Sequence, residues 1–508
     1  MSTSAPLNVS YEVSTINQKL LLSLVIKQHF GNSASKIIDF ICKRGGAIFA
    51  DLKVEFPEIG VKSILCMLLR HQCVSYSQTH PINYRVDASQ VLHRLRFPLY
   101  MEIMDDLYGL EAVKILEQFC ENGTYKGHGK TWDSMLMHHF IVELQDRYFD
   151  NRQSHIDAAT SNLTLLATQK DKLNALKLYE PPTKKRKLET VFILNFSRFD
   201  VELRNEYILK TVTLNRQATL VLKAILDVSA SHLKNCYDVG GVASPDHISK
   251  KITPDESKLY DAVHSSGFNH DEKVIAYIDL LCFHGYLYKS SFGQGLQEPE
   301  ITNKVIQAQS SEENDQFLVP YKHLTNELQQ SVIDSSIRMR LGERALRVYK
   351  AMRRLKNADE KMIANEAMLP SSEARQLLYA LSMSPGMSTY GGNEGGIIGG
   401  YAVLDIVPIF KSAERNPIRG HYIYKVKTEE QLKKDILDSL YKFEFNILTR
   451  LLEEERKHRI IEMRLSRGDI QLGDAAQKLV TNYQKLRKRL WDSLLLTDQL
   501  VAIFRDFK

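Results

Sequence analysis

Two clusters of basic side chains are the residues in this sequence best suited to bind an anionic partner. The first consists of Lys184, Lys185, Arg186 and Lys187. It follows Pro181-Pro182, which breaks a helix, so the run is expected to be extended and solvated. A nuclear import receptor binds such a run through acidic pockets and backbone contacts, so the cluster predicts a nuclear-import signal. A solvated run of charges without a receptor is the alternative.

The second cluster extends from Arg338 to Lys356, where eight basic residues are accompanied by one acid, Glu343. When the apolar residues of this segment are placed on the inner side of a helix, four arginines share an outer stripe: Arg340, Arg344, Arg347 and Arg354. Such a stripe can neutralise the phosphates of a DNA backbone. It can equally dock on an acidic protein surface, and a solvated face without a partner is the third interpretation.

Residues able to act as a nucleophile, a base or a metal ligand form no known catalytic motif. The six cysteines have no CxxC spacing and no Cys/His group has zinc-finger spacing, so reduced and mostly buried thiols are expected. GxSxG, HExxH and DxDxD motifs are absent. His138 and His139 are adjacent and would point to different sides of a helix. We therefore expect no catalytic residues, no metal and no cofactor.

A glycine-rich segment, GGNEGGIIGG at Gly391 to Gly400, could in principle bind phosphate through its backbone. It lacks the GK[ST] of a P-loop and the GxGxxG of a dinucleotide site. The flexible tip of a β-hairpin is the favoured interpretation, because a strand-like segment lies on each side of it.

The overall composition is that of a folded, multidomain protein. The 508 residues allow roughly three to five domains. A net charge of +6 is too small to indicate nucleic-acid binding without local clusters. The sequence has no apolar run of about 18 residues and does not begin with a signal-peptide pattern, so we expect an intracellular protein that does not enter a membrane.

The N-terminal region has the element order of a winged helix, a helix-turn-helix core closed by a β-hairpin wing. Residues 16–30 form an apolar helix that ends at Gly31, and Ser33 can cap the next helix, which stops at Gly45-Gly46. A third helix is predicted from Val61 to His71, followed by two short strands.

The same order recurs along the chain. Winged helices are predicted over residues 16–96, 97–150, 191–290 and 319–427, although no wing is evident in the second. Polar linkers are predicted over 151–190 and 291–318. Apolar residues then recur every three or four positions over 428–508, with a break at Ser466 to Asp469. The predicted fold class is mainly α with small β wings: four tandem winged-helix domains and a C-terminal antiparallel coiled-coil hairpin.

Several segments together resemble a known family. They are VLHRLRFPLYMEIMDDLYG at Val91 to Gly109, the basic TKKRK linker, and NFSRFDVEL at Asn195 to Leu203. With the order of the modules and the hairpin, they resemble the third-largest subunits of RNA polymerase III over nearly the whole chain. The most specific pieces are Arg94–Tyr100 and Asn195–Phe199.

The resemblance implies winged helices related to the alpha subunit of TFIIE. It implies a heterotrimer with two other polymerase III-specific subunits on the polymerase clamp. It also implies contact with TFIIIB and opening of promoter DNA for tRNA, 5S rRNA and other small RNA genes. Polymerisation belongs to the two largest subunits of such an enzyme, so a non-catalytic nuclear protein is expected.

Two other classes of protein stay open at this point. A winged-helix scaffold subunit of another nuclear complex would carry a long superhelical array before a single winged helix, which the sequence does not show. A free-standing DNA-binding regulator would more often carry a basic recognition helix. The segment from Val61 to His71 contains only Lys62 and Arg70.

Overall fold

The computed structural model describes residues 15–76, 82–143, 191–212, 214–231, 233–236, 248, 251–252, 270–290, 316–382, 403–409, 421–466 and 474–507. These residues form two compact units. The first unit comprises residues 25–199, and the second comprises residues up to 24 together with those from 200 onward. Both are mainly helical with small antiparallel sheets, as the sequence predicts. None of the helices in the described ranges is both long and apolar enough to cross a membrane.

The first module has the helices and the three-stranded sheet of a winged helix. Helix α1 (Ile16–Phe30) precedes it. Its elements are α2 (Asn32–Arg44), β1 (Ala47–Ile48), α3 (Phe49–Glu55), α4 (Val61–Arg70), β2 (Val74–Tyr76) and β3 (Asn83–Val86). Helix α2 ends as predicted because Gly45 takes a left-handed conformation with a φ of 71°. The strand order β1-β3-β2 closes the sheet over buried Ile37, Ile41 and Leu65.

The second module has a wing that the sequence did not reveal. Its helices are α5 (Ala88–Leu92), a 3-10 turn (His93–Arg96), α6 (Phe97–Tyr108), α7 (Leu110–Asn122) and α8 (Lys130–Met137). Strand β4 (Ile141–Glu143) then pairs with β5 (Phe192–Leu194). Residues 192–194 therefore pair with a strand of the second module, whereas the sequence placed them at the start of the third. The linker predicted over 151–190 connects the two strands of one sheet.

The third module shows the same arrangement. Helices α9 (Phe196–Thr211), α10 (Arg216–Ala230) and α11 (His270–Phe283) precede β6 (Tyr288–Ser290), which pairs with β7 (Gln316–Leu318). The apolar side chains of α10 and α11 share a core with Phe317 of β7. Residues 316–318 therefore complete this module, although the sequence placed them in the linker of residues 291–318.

The fourth module follows α12 (Tyr321–Leu341). Its elements are α13 (Glu343–Leu355), β8 (Asn357–Ala358), α14 (Glu360–Ala367), α15 (Ser371–Ser382), β9 (Leu404–Ile409) and β10 (His421–Val426), with the strand order β8-β10-β9. Because β10 pairs with both β8 and β9, the short first strand and the two long strands form one antiparallel sheet.

Two long helices complete the second unit, α16 (Glu429–Ser466) and α17 (Asp474–Arg505). They run antiparallel, since Arg487 of α17 pairs with Glu455 of α16 at 3.5 Å and the ring of Tyr483 stacks on His458. The far end of α17 is held inside the unit, where Gln329 Nε2 donates to the carbonyl oxygen of Ile503 at 2.8 Å. The predicted hairpin is observed as a helix pair, and the coiled-coil packing stays a prediction.

Candidate nucleic-acid interface

Helix α13 of the fourth module has one apolar side and one basic side. Ala345, Val348 and Met352 are buried, as the sequence predicts. The opposite side is exposed and carries five cations: Arg344, Arg347, Lys350, Arg353 and Arg354. The 3.6-residue repeat of the helix produces this division, because apolar and basic residues alternate at helical spacing along the segment.

The predicted stripe of four arginines is interrupted at one position. Gly342 takes a φ of 86° between α12 and α13, a conformation that glycine adopts more readily than other residues. Arg340 is therefore part of α12 and only half-buried, whereas Arg344, Arg347 and Arg354 share α13. The helix break at Gly342 therefore separates Arg340 from the other three arginines of the predicted stripe.

Two of the three arginines of the predicted stripe that lie on α13 have acidic neighbours. Arg344 pairs with Glu373 of α15, and Arg354 pairs with Glu366 of α14 at 3.3 Å. Both arginine side chains are mostly exposed, so each pair contributes at most about 1 kcal/mol to stability. Such weak pairs leave the guanidinium groups able to exchange their partner for a phosphate. The acids lie outside the basic run, which is why sequence reasoning missed them.

Arg347 differs from its neighbours. Within the described parts of the chain, neither Arg347 nor Arg353 has a carboxylate within 4 Å, and both are exposed. Arg347 and Arg354 are seven residues apart and therefore lie on the same stripe of the helix. Among the predicted stripe arginines on α13, Arg347 is thus the one most available to an external anion.

Helix α15 occupies the position of the recognition helix, the helix that enters the major groove in DNA-bound helix-turn-helix proteins. Its only basic residue, Arg375, donates two hydrogen bonds to Glu360, of 2.8 and 2.9 Å. This pairing raises the pKa of Arg375 above its ordinary value. Because the two groups neutralise each other, α15 is poorly equipped to read bases, and α13 carries the basic surface of the module.

The equivalent helices of the first and third modules carry few exposed cations. Helix α4 exposes Lys62 and Arg70, in agreement with the sequence analysis. Helix α11 exposes Ile275 and leaves Phe283 85% accessible, with the acidic Asp279 exposed on the same helix. Helix α11 therefore exposes apolar and acidic side chains at these positions.

Arg94 in the first unit is a buried cation that lies against an aromatic ring and an imidazole. The guanidinium carbon of Arg94 lies 4.6 Å from the ring centre of Phe30, and an Nη of Arg94 lies 3.4 Å from Nδ1 of His71. Burial, followed by the charge of Arg94, lowers the pKa of both His29 and His71 to about 4. At neutral pH these imidazoles are uncharged, so Arg94 is accommodated by neutral and aromatic groups.

The remaining predicted site residues lie outside the described residues. These are Lys184, Lys185, Arg186 and Lys187 of the import signal, and the glycine-rich segment at 391–400. Taken within either unit alone, the described side chains contain no group of three His, Cys, Asp or Glu ligands close enough to share a metal ion.

Two family models match the chain. Residues 20–79 match the helix-turn-helix domain of RNA polymerase III subunit RPC82. Residues 333–387 match the C-terminal winged-helix domain of POLR3C. These ranges cover most of the first module, and the helices α13 to α15 of the fourth.

Curated relatives extend the similarity to nearly the full length. DNA-directed RNA polymerase III subunit RPC3 of Homo sapiens is 22% identical to this chain, over 87% of the chain and 85% of the relative. The subunits of the same name from Mus musculus and Danio rerio are 21% and 20% identical, over 87% and 88% of the chain. The resemblance found in the sequence is confirmed.

Proposed function

We propose that this chain is the RPC3-type subunit of an RNA polymerase III and acts in nuclear transcription without catalysing polymerisation itself. The observation that carries this proposal is the similarity to RPC3 subunits over 87% of the chain. Residues 20–79 and 333–387, which match the family models, are also the regions in which the structure has winged-helix modules. A shared domain alone would match one module and leave the rest of the chain unaligned.

The proposed role lies in initiation at tRNA, 5S rRNA and other small RNA genes. The basic side of α13 supports a contact with the phosphates of promoter DNA, because Arg347 has no carboxylate within 4 Å among the described residues and the partners of Arg344 and Arg354 are weakly held. The non-basic helices α11 and α15 support protein contacts, for which TFIIIB is the proposed partner. Such contacts would help to hold promoter DNA while it opens.

The proposed position in the enzyme is the clamp, within a heterotrimer of polymerase III-specific subunits. The α16–α17 hairpin supports this role. Its base is tied to the second unit through Gln329, whereas its distal half extends beyond the pairing of Tyr483 with His458. A helix pair of this length can reach a larger neighbour without disturbing the modules that hold its base.

The nuclear compartment follows from the same proposal, and the run from Lys184 to Lys187 would direct import. A free-standing sequence-specific regulator is disfavoured, because the sole cation of α15 is neutralised by Glu360. A scaffold subunit of another complex is disfavoured, because the curated relatives match along nearly the full chain.

Affinity purification of the tagged endogenous chain tests the assignment. We expect the two largest polymerase III subunits to co-purify in stoichiometric amounts, and acute depletion of the chain to reduce the synthesis of tRNA and 5S rRNA while mRNA synthesis continues. Purification without polymerase III subunits, or with those of another nuclear complex, would overturn the proposal.

Removing the distal half of the hairpin tests the anchoring role separately. Deletion of residues 455–489 and closure with a short Gly-Ser turn leaves the buried end of α17 in place, whereas removal of all of 429–508 would uncover the core of the second unit. We expect the internal deletion to remain folded and to lose the large subunits. Unchanged co-purification would contradict anchoring by the hairpin without contradicting the assignment to the enzyme.

A further inference from the structure

The outer face of α17 carries a row of cations that the proposed function does not use. Four exposed basic residues form this row: Lys478, Lys485, Lys488 and Arg489. The opposite side of the helix is buried, with Tyr483 and Leu494 turned toward the protein. The buried side chains fix the orientation of α17, and the row therefore lies on its exposed side.

Spacing and composition make the row continuous. Lys478, Lys485 and Arg489 are separated by seven and four residues, which places them on one line along the helix. At 1.5 Å per residue the line is about 16 Å long. No acidic residue occurs between Asp474 and Asp492 in the sequence, so the positive charge is uninterrupted over this length.

Among the described side chains, the neighbouring helix neutralises one cation of this segment. Arg487 pairs with Glu455 of α16 at 3.5 Å. Across the described ranges, none of the four cations of the row has a carboxylate within 4 Å. Arg487 thus serves the hairpin itself, whereas the row points away from α16 and has no internal role in the fold.

We propose that this row binds the phosphate backbone of duplex DNA as a second contact, separate from α13; this inference rests on the proposed function in transcription. Lysine supplies three of the four cations, and lysine is depleted where proteins bind one another but common where they bind phosphate. No exposed aromatic side chain stands in the row, and Tyr483 is buried. Single-stranded DNA would need such rings for base stacking.

The test compares two variants of the full-length chain in its purified polymerase complex. The first is Lys478→Gln/Lys485→Gln/Arg489→Gln, and the matched control is Arg487→Gln, which removes a cation from the side of the same helix that faces α16, away from the row. Binding of a random-sequence duplex is measured at several salt concentrations, and the thermal unfolding and subunit content of each complex are measured in parallel.

We expect the triple variant to remain folded and assembled and to bind duplex DNA more weakly. The slope of log affinity against log salt should become shallower by about 0.9 for each lost contact, hence by up to about 2.7, while Arg487→Gln leaves it unchanged.

An unchanged slope in the triple variant overturns the inference, as does loss of polymerase subunits with DNA binding retained, which would identify a protein interface. If the α13 variant Arg347→Gln weakens binding while the row does not, the proposed function stands and the inference alone fails. If the unmodified complex shows no salt-dependent DNA binding, both fail.

Discussion

The hydroxyl oxygen of Tyr100 lies 2.9 Å from Nδ1 of His93, and both side chains are buried in the first unit. The two residues are seven positions apart, one in the 3-10 turn and the other in α6. The ring of Phe196 stacks on His93 with a separation of 5.2 Å, and Phe199 packs on Tyr100 at 4.8 Å. The two segments most typical of the family are therefore packed against each other, which indicates that they maintain the fold.

Replacing Tyr100 with phenylalanine is expected to destabilise the protein by about 1–3 kcal/mol. The substitution preserves the ring and leaves the buried Nδ1 of His93 without this partner. Denaturant unfolding of the full-length chain measures the effect. Tyr379→Phe is the matched control, because its side chain is 56% exposed and should change stability by no more than about 0.5 kcal/mol. Equal effects of the two substitutions would contradict the structural role of the hydrogen bond.

The stability of the first unit is expected to fall in mildly acidic solution. The pKa of His29 and of His71 is about 4 in the folded protein, against an ordinary value of 6.5. The unfolded chain therefore binds protons that the folded chain does not. The contribution of the two neutral histidines to the free energy of unfolding is complete above a pH of about 6.5 and is lost progressively as the pH falls to about 4.

Denaturant midpoints measured from pH 7.5 to pH 4 check this expectation. The double variant His29→Gln/His71→Gln should show a shallower dependence on pH than the unmodified chain. If both proteins lose stability equally over this range, other groups are responsible.

Phe507→Ala is expected to cost about 3–5 kcal/mol of stability. The ring of Phe507 is 1% exposed and lies 6.0 Å from that of Tyr207, so truncation leaves a cavity near the end of the chain. Phe283→Ala makes the same chemical change at a ring that is 85% exposed, and should change stability by no more than about 0.5 kcal/mol. Unfolding measurements in which the two variants are equally stable would show that the C-terminal residues are not part of the core.

Arg347→Gln is expected to weaken duplex binding and to flatten its salt slope by about 0.9, because one phosphate contact is lost. Arg375→Gln tests the alternative geometry, in which α15 enters the groove. Since Arg375 is already paired with Glu360, its removal should leave the slope unchanged. A larger effect of Arg375→Gln than of Arg347→Gln would transfer the DNA contact from α13 to α15.

Changing Lys184, Lys185, Arg186 and Lys187 to alanine is expected to shift the tagged chain toward the cytoplasm. Assembly with partners could carry the chain into the nucleus independently, so the variant should also lack residues 455–489 of the hairpin. Fluorescence microscopy compares it with the same deletion carrying the natural basic run. Equal nuclear accumulation of both would remove the import assignment.

The sequence alone determined the character of the helices and where several of them end. The helix over residues 16–30, the stop at Gly45 and the inward side of α13 were all predictable, because they depend on a 3.6-residue repeat and on glycine within a few neighbouring residues. The family resemblance could also be recognised from the sequence, since each segment that carries it is continuous along the chain. The burial of His93 against Phe196 was not, because the two residues are distant in sequence.

Only the tertiary structure decided which distant segments meet. Pairing of Ile141–Glu143 with Phe192–Leu194 joins strands on either side of a long polar segment, and three-residue strands carry too little pattern to identify their partners. The same holds for Arg344 and Glu373, whose charges meet because α13 and α15 pack together. The basic run is a property of the sequence, but the number of its cations left available to DNA depends on packing, because neighbouring helices supply the acids.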